Sequence, residues 1–281
     1  MRVFVTGSHG FIGRALVSRL KQEGHTVSEF DIKNNALDSV TNITRLFTAF
    51  QYFKPDVCIH LAALVSRWGA EDDPERAVRV NINGTNNVAQ ICASNGVRLI
   101  NFSTSEVYAD EECPDILAQN GYYGLTKLAA EGVVAHLRRT GGLEACNVRP
   151  FMVYGPGEEP SGVYRSVLSN FVDTAINGGV LVVHDGAERS WCYIDDFVTA
   201  VVGLLGEELL PEEYDIGTHD MRSIESLAVL IIDVVGQGTY DVVPMPENFV
   251  SRTKCARDNL IPCPLPLEEG VLRTVEWQVN R

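Results

Sequence analysis

The fold of this chain is decided by residues 6–13, which read Thr6-Gly7-Ser8-His9-Gly10-Phe11-Ile12-Gly13. A short apolar run at 3–5 precedes this stretch, and a helical pattern at 12–23 follows it. The three glycines permit a tight turn, a close approach of the backbone to a bound group, and close packing of the helix on the strand. The N–H groups at the start of the helix can bind a phosphate. This stretch therefore predicts a strand–turn–helix unit that binds the pyrophosphate of a dinucleotide.

One carboxylate indicates which dinucleotide is bound. Asp31 follows the second predicted strand, at 26–30, where a carboxylate can accept hydrogen bonds from both hydroxyls of an adenosine ribose. Its charge repels a 2′-phosphate, so NAD is expected rather than NADP. The nearby Lys33 weakens this preference slightly.

Strands and helices alternate through the first half of the chain, which is typical of βαβ units and a parallel sheet. The strands are predicted at 3–5, 26–30, 56–61, 98–102 and 144–149. The helices are predicted at 12–23, 43–52, 74–94 and 123–139.

The pattern changes after Pro150, where glycines and prolines cluster at 155–162 and predict a loop and a change of domain. Helices are then predicted at 164–177, 194–205 and 223–235, and strands at 180–184 and 214–216. The tail contains five prolines, so it is expected to be neither a long helix nor a central strand.

Composition excludes several classes of protein. The chain has 281 residues and a net charge of −14, which argues against nucleic-acid binding because such proteins need clustered Lys and Arg. The sequence has no run of about 18 apolar residues, so no membrane span is expected. The N-terminus enters a strand without a signal-peptide layout, so a cytoplasmic location is expected. The seven cysteines are expected to be mostly buried, reduced thiols, and the six scattered histidines predict no metal site.

A tyrosine and a lysine stand four residues apart in Tyr122-Tyr123-Gly124-Leu125-Thr126-Lys127. On the first turn of a helix this spacing places both side chains on one face, so the Lys127 ammonium can favour the ionised form of the Tyr123 phenol. A phenolate is a base. Two ordinary surface residues could share this spacing, but this pair follows a glycine-rich turn and a Ser/Thr-rich strand end, and the combination is far more specific than any part.

Further motifs accompany these features along nearly the whole chain. They are His60-Leu61-Ala62-Ala63, Asn81-Ile82-Asn83-Gly84-Thr85, Ser103-Thr104-Ser105-Glu106-Val107-Tyr108, Arg149-Pro150-Phe151-Met152-Val153-Tyr154-Gly155-Pro156 and Arg189-Ser190-Trp191-Cys192-Tyr193-Ile194-Asp195-Asp196. Together they resemble an extended short-chain dehydrogenase/reductase of the NAD-dependent epimerase/dehydratase family, whose members act mainly on nucleotide sugars.

The resemblance implies an α/β fold, a Rossmann-type doubly wound parallel sheet with a small C-terminal substrate-binding cap. The NAD-binding domain is expected at 1–155 with later contributions from about 180–217, and the cap at 156–179 and 218–281. The residues expected to bind NAD are Gly7, His9, Gly10, Phe11, Ile12, Gly13, Asp31, Leu61, Ala62, Ala63, Asn81, Ser103, Tyr123 and Lys127.

The resemblance also implies catalytic roles. Thr104 would hydrogen-bond the substrate oxygen that is oxidised, although ordinary packing at a strand end is an alternative. Tyr123 would remove the hydroxyl proton while hydride passes to the nicotinamide. Lys127 would hold the cofactor ribose and lower the pKa of the phenol.

Glu106 is the residue that separates possible reactions. In relatives with Thr-x-Glu at this place the Glu often acts as a base at C5 or assists loss of a substituent. On an extended segment, Glu106 would point to the same side as Thr104. A solvated or salt-bridged Glu is the alternative reading. At the preceding position, Ser105 replaces the acidic residue that sugar 4,6-dehydratases commonly carry.

Four residues are expected to contact the substrate: Thr104, Ser105, Asn170 and Arg189. In the family this Arg contacts the nucleotide diphosphate, and a salt bridge with Asp195 or Asp196 is the alternative. Met152 departs from the family, because many relatives carry an Asn there that touches the substrate. The cap is also short, so a nonstandard nucleotide sugar or a smaller substrate is open.

The reaction expected is oxidation of a nucleotide sugar at C4 to a ketone, followed by epimerisation or dehydration. Three alternatives stay open: a UDP-glucuronate-type decarboxylase, an NAD(P)-dependent sugar-ketone reductase, and a non-catalytic dinucleotide sensor, against which the intact Tyr123/Lys127 pair argues. The resemblance also implies a homodimer that pairs the helices at 74–94 and 123–139 into a four-helix bundle.

Overall fold

The computed structural model describes residues 1–65, 67–108, 121–159, 166–245, 256 and 261–281. The end of the predicted glycine- and proline-rich loop and the start of the helix predicted at 164 lie outside these residues, as do Pro246, Cys113 and Cys255. The chain divides into two compact units. Unit 1 is Met1–Pro150 with Val198–Tyr214, and unit 2 is Phe151–Phe197 with Asp215–Arg281.

The described residues form alternating strands and helices. The strands are β1 (Arg2–Thr6), β2 (Thr26–Phe30), β3 (Val57–His60), β4 (Arg98–Phe102), β5 (Ala145–Pro150), β6 (Val153–Tyr154), β7 (Val180–His184), β8 (Glu188–Ser190), β9 (Cys192–Tyr193), β10 (Glu213–Ile216), β11 (Met221–Ser223) and β12 (Thr239–Val243). The helices are α1 (Phe11–Gln22), α2 (Ile43–Phe53), α3 (Arg67–Asp72), α4 (Pro74–Ala77), α5 (Thr85–Asn95), α6 (Tyr122–Gly141), α7 (Val167–Ile176), α8 (Ile194–Gly203), α9 (Ile224–Val235) and α10 (Leu267–Val279).

The central sheet has the strand order β10-β5-β4-β3-β1-β2. The pairs from β2 through β5 are parallel, and β1 lies between β2 and β3. The chain winds outward in both directions from β1, and ligands of such sheets bind beyond the carboxyl ends of the strands at this reversal. The predicted fold class, a doubly wound parallel α/β sheet, is confirmed.

The central strands are apolar because both faces of the sheet are covered. All four residues of β3 are buried, as are the last four of both β1 and β4. On one face, Phe4 and Leu99 pack against Val88 of α5 and Val134 of α6 in a single core cluster. This core packs α5 and α6 against the sheet.

The helix predicted at 74–94 contains a wider turn. It runs as α4, then a π-helical segment Val78–Gly84, then α5. Asp73 caps its start by accepting a hydrogen bond from the Arg76 N–H. π-Helical segments are rare in proteins, and those that occur often lie at functional sites. This segment carries Asn81.

The C-terminal tail differs from its prediction. Residues Leu267–Val279 form a helix of 13 residues, α10, although the prolines of the tail predict no long helix. The prediction was wrong because the described prolines all precede the helix, with Pro266 at its N-cap position, where a proline is tolerated. The described tail also begins with β12, which pairs in parallel with β7.

The boundary between the units also differs from the sequence prediction. The change occurs after Pro150 rather than at 155, and residues 180–197 belong to unit 2 instead of the NAD-binding domain. The reason lies in strand pairing. The strand β7 pairs with β12, β8 with β11, and β6 with β9, all within unit 2.

Every helix that the structure describes is too short or too polar to cross a bilayer. The cytoplasmic location stays a prediction. Within the described ranges no three His, Cys, Asp or Glu side chains come together in a way that could ligate a metal. Four cysteines, at 58, 92, 146 and 192, are buried free thiols, whereas Cys263 is exposed.

Candidate active site

The glycine-rich turn forms a backbone cradle at the end of β1. Gly7 has a φ of +69°, and a Cβ atom there would lie 2.6 Å from the Ala62 nitrogen. A Cβ on Gly13 would overlap the carbonyl oxygen of Gly7. Gly10 precedes α1, and no side chain caps the start of this helix. The first N–H groups of the helix are therefore available to donate hydrogen bonds to a ligand. The cradle fits a pyrophosphate, because only glycine allows the turn and its open helix end.

Asp31 ties this turn to the end of β2. The carboxylate is buried, and its two oxygens accept hydrogen bonds from the backbone N–H groups of His9, at 2.9 Å, and Lys33, at 2.8 Å. A carboxylate has about four acceptor positions, so capacity remains for the hydroxyls of a ribose. Asp31 therefore also orders the turn, a structural role that its sequence position alone does not reveal.

The chain beyond β3 lies against the same turn. The N–H of Leu61 donates to the Thr6 carbonyl oxygen at 3.1 Å, and that of Ala62 donates to Thr6 Oγ1 at 3.3 Å. Leu61, Ala62 and Ala63 are half-buried. The structure thus brings this predicted cofactor segment beside Gly7, on the carboxyl side of the sheet.

Asn81 is fully buried in the π-helical segment and holds two other elements. Its Oδ1 accepts from the Leu64 N–H at 2.8 Å, and its Nδ2 donates to the Leu64 carbonyl at 3.1 Å and to Thr126 Oγ1 at 3.0 Å. Both amide hydrogens are therefore used within the protein. Asn81 positions the segment after β3 against the start of α6, and its contact with NAD stays a prediction.

A buried histidine links the sheet to α5, and the sequence reasoning assigned it no role. His60 Nδ1 lies 2.7 Å from Thr6 Oγ1, and its Nε2 lies 3.1 Å from Thr85 Oγ1. Burial, with a smaller contribution from the charge of Lys127, lowers the pKa of His60 to about 3. A polar residue inside the apolar run of β3 was the one signal in the sequence that could have revealed it.

This histidine is expected to make the protein sensitive to acid. The pKa of His60 is about 3 in the native state and about 6.5 when unfolded. Between these values only the unfolded state takes up the proton, so stability falls as the pH drops from 6.5 towards 3. Between pH 7 and pH 4.5 the loss due to His60 is about 2 to 3 kcal/mol.

Urea unfolding of the wild type and of His60→Gln at both pH values measures this loss. The wild type should lose more stability than the variant over the interval. An equal loss in the two proteins would show that His60 does not titrate as inferred.

The Tyr123 and Lys127 pair lies at the start of α6, as predicted, and burial shifts the pKa of both side chains. Removal from water raises the pKa of Tyr123 to about 12; Thr104 lowers it and the charge of Glu106 raises it. Burial lowers the pKa of Lys127 to about 8, against the opposing effect of Glu131. In the polypeptide alone the phenol pKa lies above its ordinary value, because desolvation is the largest cause of the shift; the lowering of this pKa by Lys127 stays a prediction.

The backbone that carries Thr104 and Glu106 differs from the prediction. Thr104 caps a 3-10 turn (Ser105–Val107), and its Oγ1 accepts from the Glu106 N–H at 3.2 Å. The predicted extended segment is therefore wrong, because the capping hydroxyl favours a turn over a strand. Thr104 hydrogen-bonds the phenol of Tyr123, and the charge of Glu106 acts on it.

Ser103 and Ser105 flank Thr104 and are both buried. The Ser103 N–H donates to the Val148 carbonyl at 2.7 Å, while its Oγ has no hydrogen-bond partner among the described residues. A buried hydroxyl without a partner costs free energy. A ligand group at the end of β4 would relieve this cost, which fits the predicted contact of Ser103 with NAD.

The other two expected substrate residues belong to unit 2. Arg189 is buried on β8, where its Nη1 donates to the Glu188 carbonyl at 2.7 Å. Asp196, one of the two candidate salt-bridge partners of this arginine, accepts a hydrogen bond from the Leu265 N–H at 2.8 Å. Asn170 is half-buried on α7.

Met152, which stands where many relatives carry an asparagine, has an unusual backbone conformation. Its φ is +33°, in the left-handed region. Asparagine enters that region at lower cost than other non-glycine residues. Met152 therefore adopts a backbone conformation that asparagine enters at lower cost, while its side chain lacks the polar group.

The fold and this site define an NAD-binding enzyme of the Rossmann type with a Tyr/Lys pair. Residues 3–217 match the model of the NAD dependent epimerase/dehydratase family, and the chain belongs to that family. The resemblance inferred from the motifs is thereby confirmed, and NAD is the cofactor of the family.

Similar proteins span most or all of the chain. A UDP-glucose 4-epimerase of Mycolicibacterium smegmatis is 29% identical over 315 residues, spanning 100% of this chain and 99% of the relative. A UDP-N-acetyl-alpha-D-glucosaminuronate decarboxylase of Bacillus cytotoxicus is 28% identical, spanning 81% and 78%. The structure of a Thermotoga maritima UDP-glucose 4-epimerase with UDP-glucose has a TM-score of 0.86 at 25% identity, with coverage of 100% and 99%.

Proposed function

We propose that this protein converts a nucleotide sugar through a transient 4-keto intermediate, as an NAD-dependent epimerase or dehydratase. The observation that carries the proposal is the hydrogen bond between Thr104 and Tyr123, beside the turn whose Glu106 charge acts on the same phenol. Lys127 lies one turn along the same helix, and the glycine cradle lies in the same unit. Membership of the family supports the same reaction class.

The side chains have distinct tasks in this reaction. Tyr123, in its phenolate form, takes the proton from the C4 hydroxyl, and Thr104 hydrogen-bonds the same oxygen. Because the pKa of this phenol is about 12 in the polypeptide alone, the step requires that the charge of Lys127 and the bound cofactor lower it. Lys127, with a pKa of about 8, is mostly protonated at neutral pH and can donate to the ribose hydroxyls. When NAD is bound it supplies the hydride acceptor, which the protein lacks. The cradle, Asp31 and Ser103 hold it.

Glu106 decides what happens to the ketone. A carbonyl at C4 makes the neighbouring protons acidic, and a carboxylate near Tyr123 can remove or deliver such a proton. Epimerase or dehydratase leads, because Tyr-Gly-Leu-Thr-Lys followed by Leu-Ala-Ala-Glu resembles that branch more than the decarboxylase branch. The relatives include both epimerases and decarboxylases, so the decarboxylase and the ketone reductase remain alternatives.

A panel of nucleotide sugars tests the function directly. The protein would be incubated with UDP-glucose, UDP-glucuronic acid, UDP-N-acetylglucosamine and GDP-mannose, and the products identified by mass and NMR. We expect an isomer of equal mass or the loss of water, without net consumption of NAD. Loss of carbon dioxide would indicate the decarboxylase, and stoichiometric reduction of added NAD or NADP, which is ketone reduction run in reverse, would indicate the reductase.

Cofactor choice gives a second test. NAD should bind at least tenfold more tightly than NADP, because placing a 2′-phosphate beside the buried Asp31 carboxylate costs upward of about 1.4 kcal/mol. Calorimetric titration of cofactor-stripped protein measures both affinities. Equal affinities would contradict the assigned role of Asp31.

Arg189 is proposed to bind the nucleotide diphosphate, with Asn170 and Ser105 adding polar contacts to the substrate. The planar guanidinium matches the geometry of phosphate oxygens. Arg189 is buried, and its Nη1 donates to the carbonyl of Glu188 on the same strand. Arg189→Ala should weaken UDP-glucose binding by about 1.5 to 3 kcal/mol and leave NAD binding nearly unchanged. An unchanged affinity together with lower thermal stability would favour a structural ion pair instead.

The homodimer through a four-helix bundle also stays a proposal. Of the apolar residues at 74–94, Val78 is exposed and Ile82 half-buried, whereas Ala77, Val88 and Ile91 pack into cores. Fewer apolar residues of 74–94 are therefore available on the surface for a dimer interface than the sequence predicts. Sedimentation analysis distinguishes a dimer from a monomer.

A further inference from the structure

A buried arginine joins the two elements that carry the candidate catalytic groups. Arg149, at the end of β5, is only 1% exposed. Its Nε and Nη2 donate to the two carboxylate oxygens of Glu131, at 2.9 and 2.6 Å. Its Nη1 donates to the Tyr108 hydroxyl and to the Glu213 carboxylate, each at 2.7 Å. The guanidinium also lies over the Tyr108 ring, 4.9 Å from its centroid.

The partners of this arginine stand beside the reacting groups. Glu131 lies on α6, four residues after Lys127 and eight after Tyr123, so the three share one face of the helix. Tyr108 directly follows the 3-10 turn that Thr104 caps. The arginine therefore connects the helix of the base to the turn of its partner groups.

We propose that Arg149 and Tyr108 are positioning residues for the reaction: their hydrogen bond sets the distance between the Thr104 turn and the Tyr123 helix. The inference rests on the proposed function of those two residues. A guanidinium is planar and offers five donors in a rigid arrangement, of which the described contacts use four. Such a group transmits the position of one element to the next, and a misplacement of about 1 Å at a reacting group can cost roughly 100-fold in rate.

The sharpest test removes one hydroxyl. Tyr108→Phe keeps the ring over the guanidinium and removes the hydroxyl that accepts the bond from Nη1. For whichever UDP-sugar the wild type converts, we expect kcat to fall roughly 10- to 100-fold, with KM for the sugar and the affinity for NAD nearly unchanged. A purely structural role would lower the melting temperature without this selective loss of kcat.

A matched control uses the other partner of the same nitrogen. Glu213→Gln weakens the bond that Nη1 makes to a carboxylate that is 57% exposed and belongs to β10. Its kcat should stay within about twofold of the wild type, because an ion pair to an exposed carboxylate contributes little and Glu213 lies on neither the turn nor α6. An equal loss of kcat in Tyr108→Phe and Glu213→Gln overturns the proposal, as does a wild-type kcat in Tyr108→Phe.

A second measurement needs no substrate. The Glu106 N–H is bonded to Thr104 Oγ1 inside the turn, so its hydrogen exchange reports how firmly the turn is held. Exchange should accelerate at least severalfold in Tyr108→Phe and stay unchanged in Glu213→Gln. If the wild type converts no nucleotide sugar of the panel, the proposed function fails. Hydrogen exchange then tests the link by itself, and an unchanged exchange rate in Tyr108→Phe overturns it.

Discussion

Tyr123→Phe is expected to lower turnover roughly 10²- to 10⁴-fold while leaving NAD binding nearly intact. The substitution removes the proton acceptor and almost no volume, so the half-buried ring keeps its packing. The effect should appear in kcat, since the phenol acts in the transition state. Steady-state rates with the UDP-sugar that the wild type converts, together with calorimetry for NAD, measure both quantities.

The neighbouring tyrosine provides the control. Tyr122 is 40% exposed, and its backbone N–H, not its hydroxyl, makes the contact with Glu71. Tyr122→Phe should therefore turn over like the wild type. Near-wild-type turnover in Tyr123→Phe as well would mean that the Tyr123 and Lys127 pair is structural.

Glu106→Gln is expected to separate the oxidation of the sugar from the later conversion of the ketone. The carboxylate is the proposed acid or base that acts on the ketone, so product formation should fall roughly 10²- to 10⁴-fold. Oxidation itself should continue. The charge of Glu106 raises the pKa of Tyr123, and its removal makes the phenol easier to ionise. Reduced nicotinamide should then accumulate after mixing with substrate, which stopped-flow absorbance detects.

An exposed carboxylate outside the site serves as the comparison. Glu75 on α4 is 90% exposed, so Glu75→Gln should neither slow turnover nor accumulate reduced nicotinamide. If Glu106→Gln also turns over normally, Glu106 is a surface carboxylate. Plain epimerisation, which needs no second base, then becomes the better assignment.

Local patterns in the sequence were enough for the fold and for the cofactor. The bounds of β2 and β7 coincide with their predictions, and α1 and α6 begin within one residue of theirs. These elements are specified by hydrophobic period and by turn residues within a few positions. The glycine cradle is equally local, because φ and the space for a Cβ are set where the chain turns.

Pairing between distant segments could not be read in the same way. The assignment of residues 180–197 to unit 2 follows from the pairing of β7 with β12 and of β8 with β11. Nothing near β7 in the sequence indicates which partner it takes. The helix α10 was missed for a related reason, since a count of prolines over the tail ignores where each one stands.

The chemistry of the site was decided by tertiary structure. The sequence placed Tyr123 and Lys127 four residues apart, but only folding removes both from water, which moves the pKa of the phenol up and that of the ammonium down. Likewise, the bonds of Arg149 to Glu131 and Tyr108 join three positions that are far apart along the chain. Desolvation and such contacts depend on everything packed around a group, whereas helix and turn signals depend on nearest neighbours.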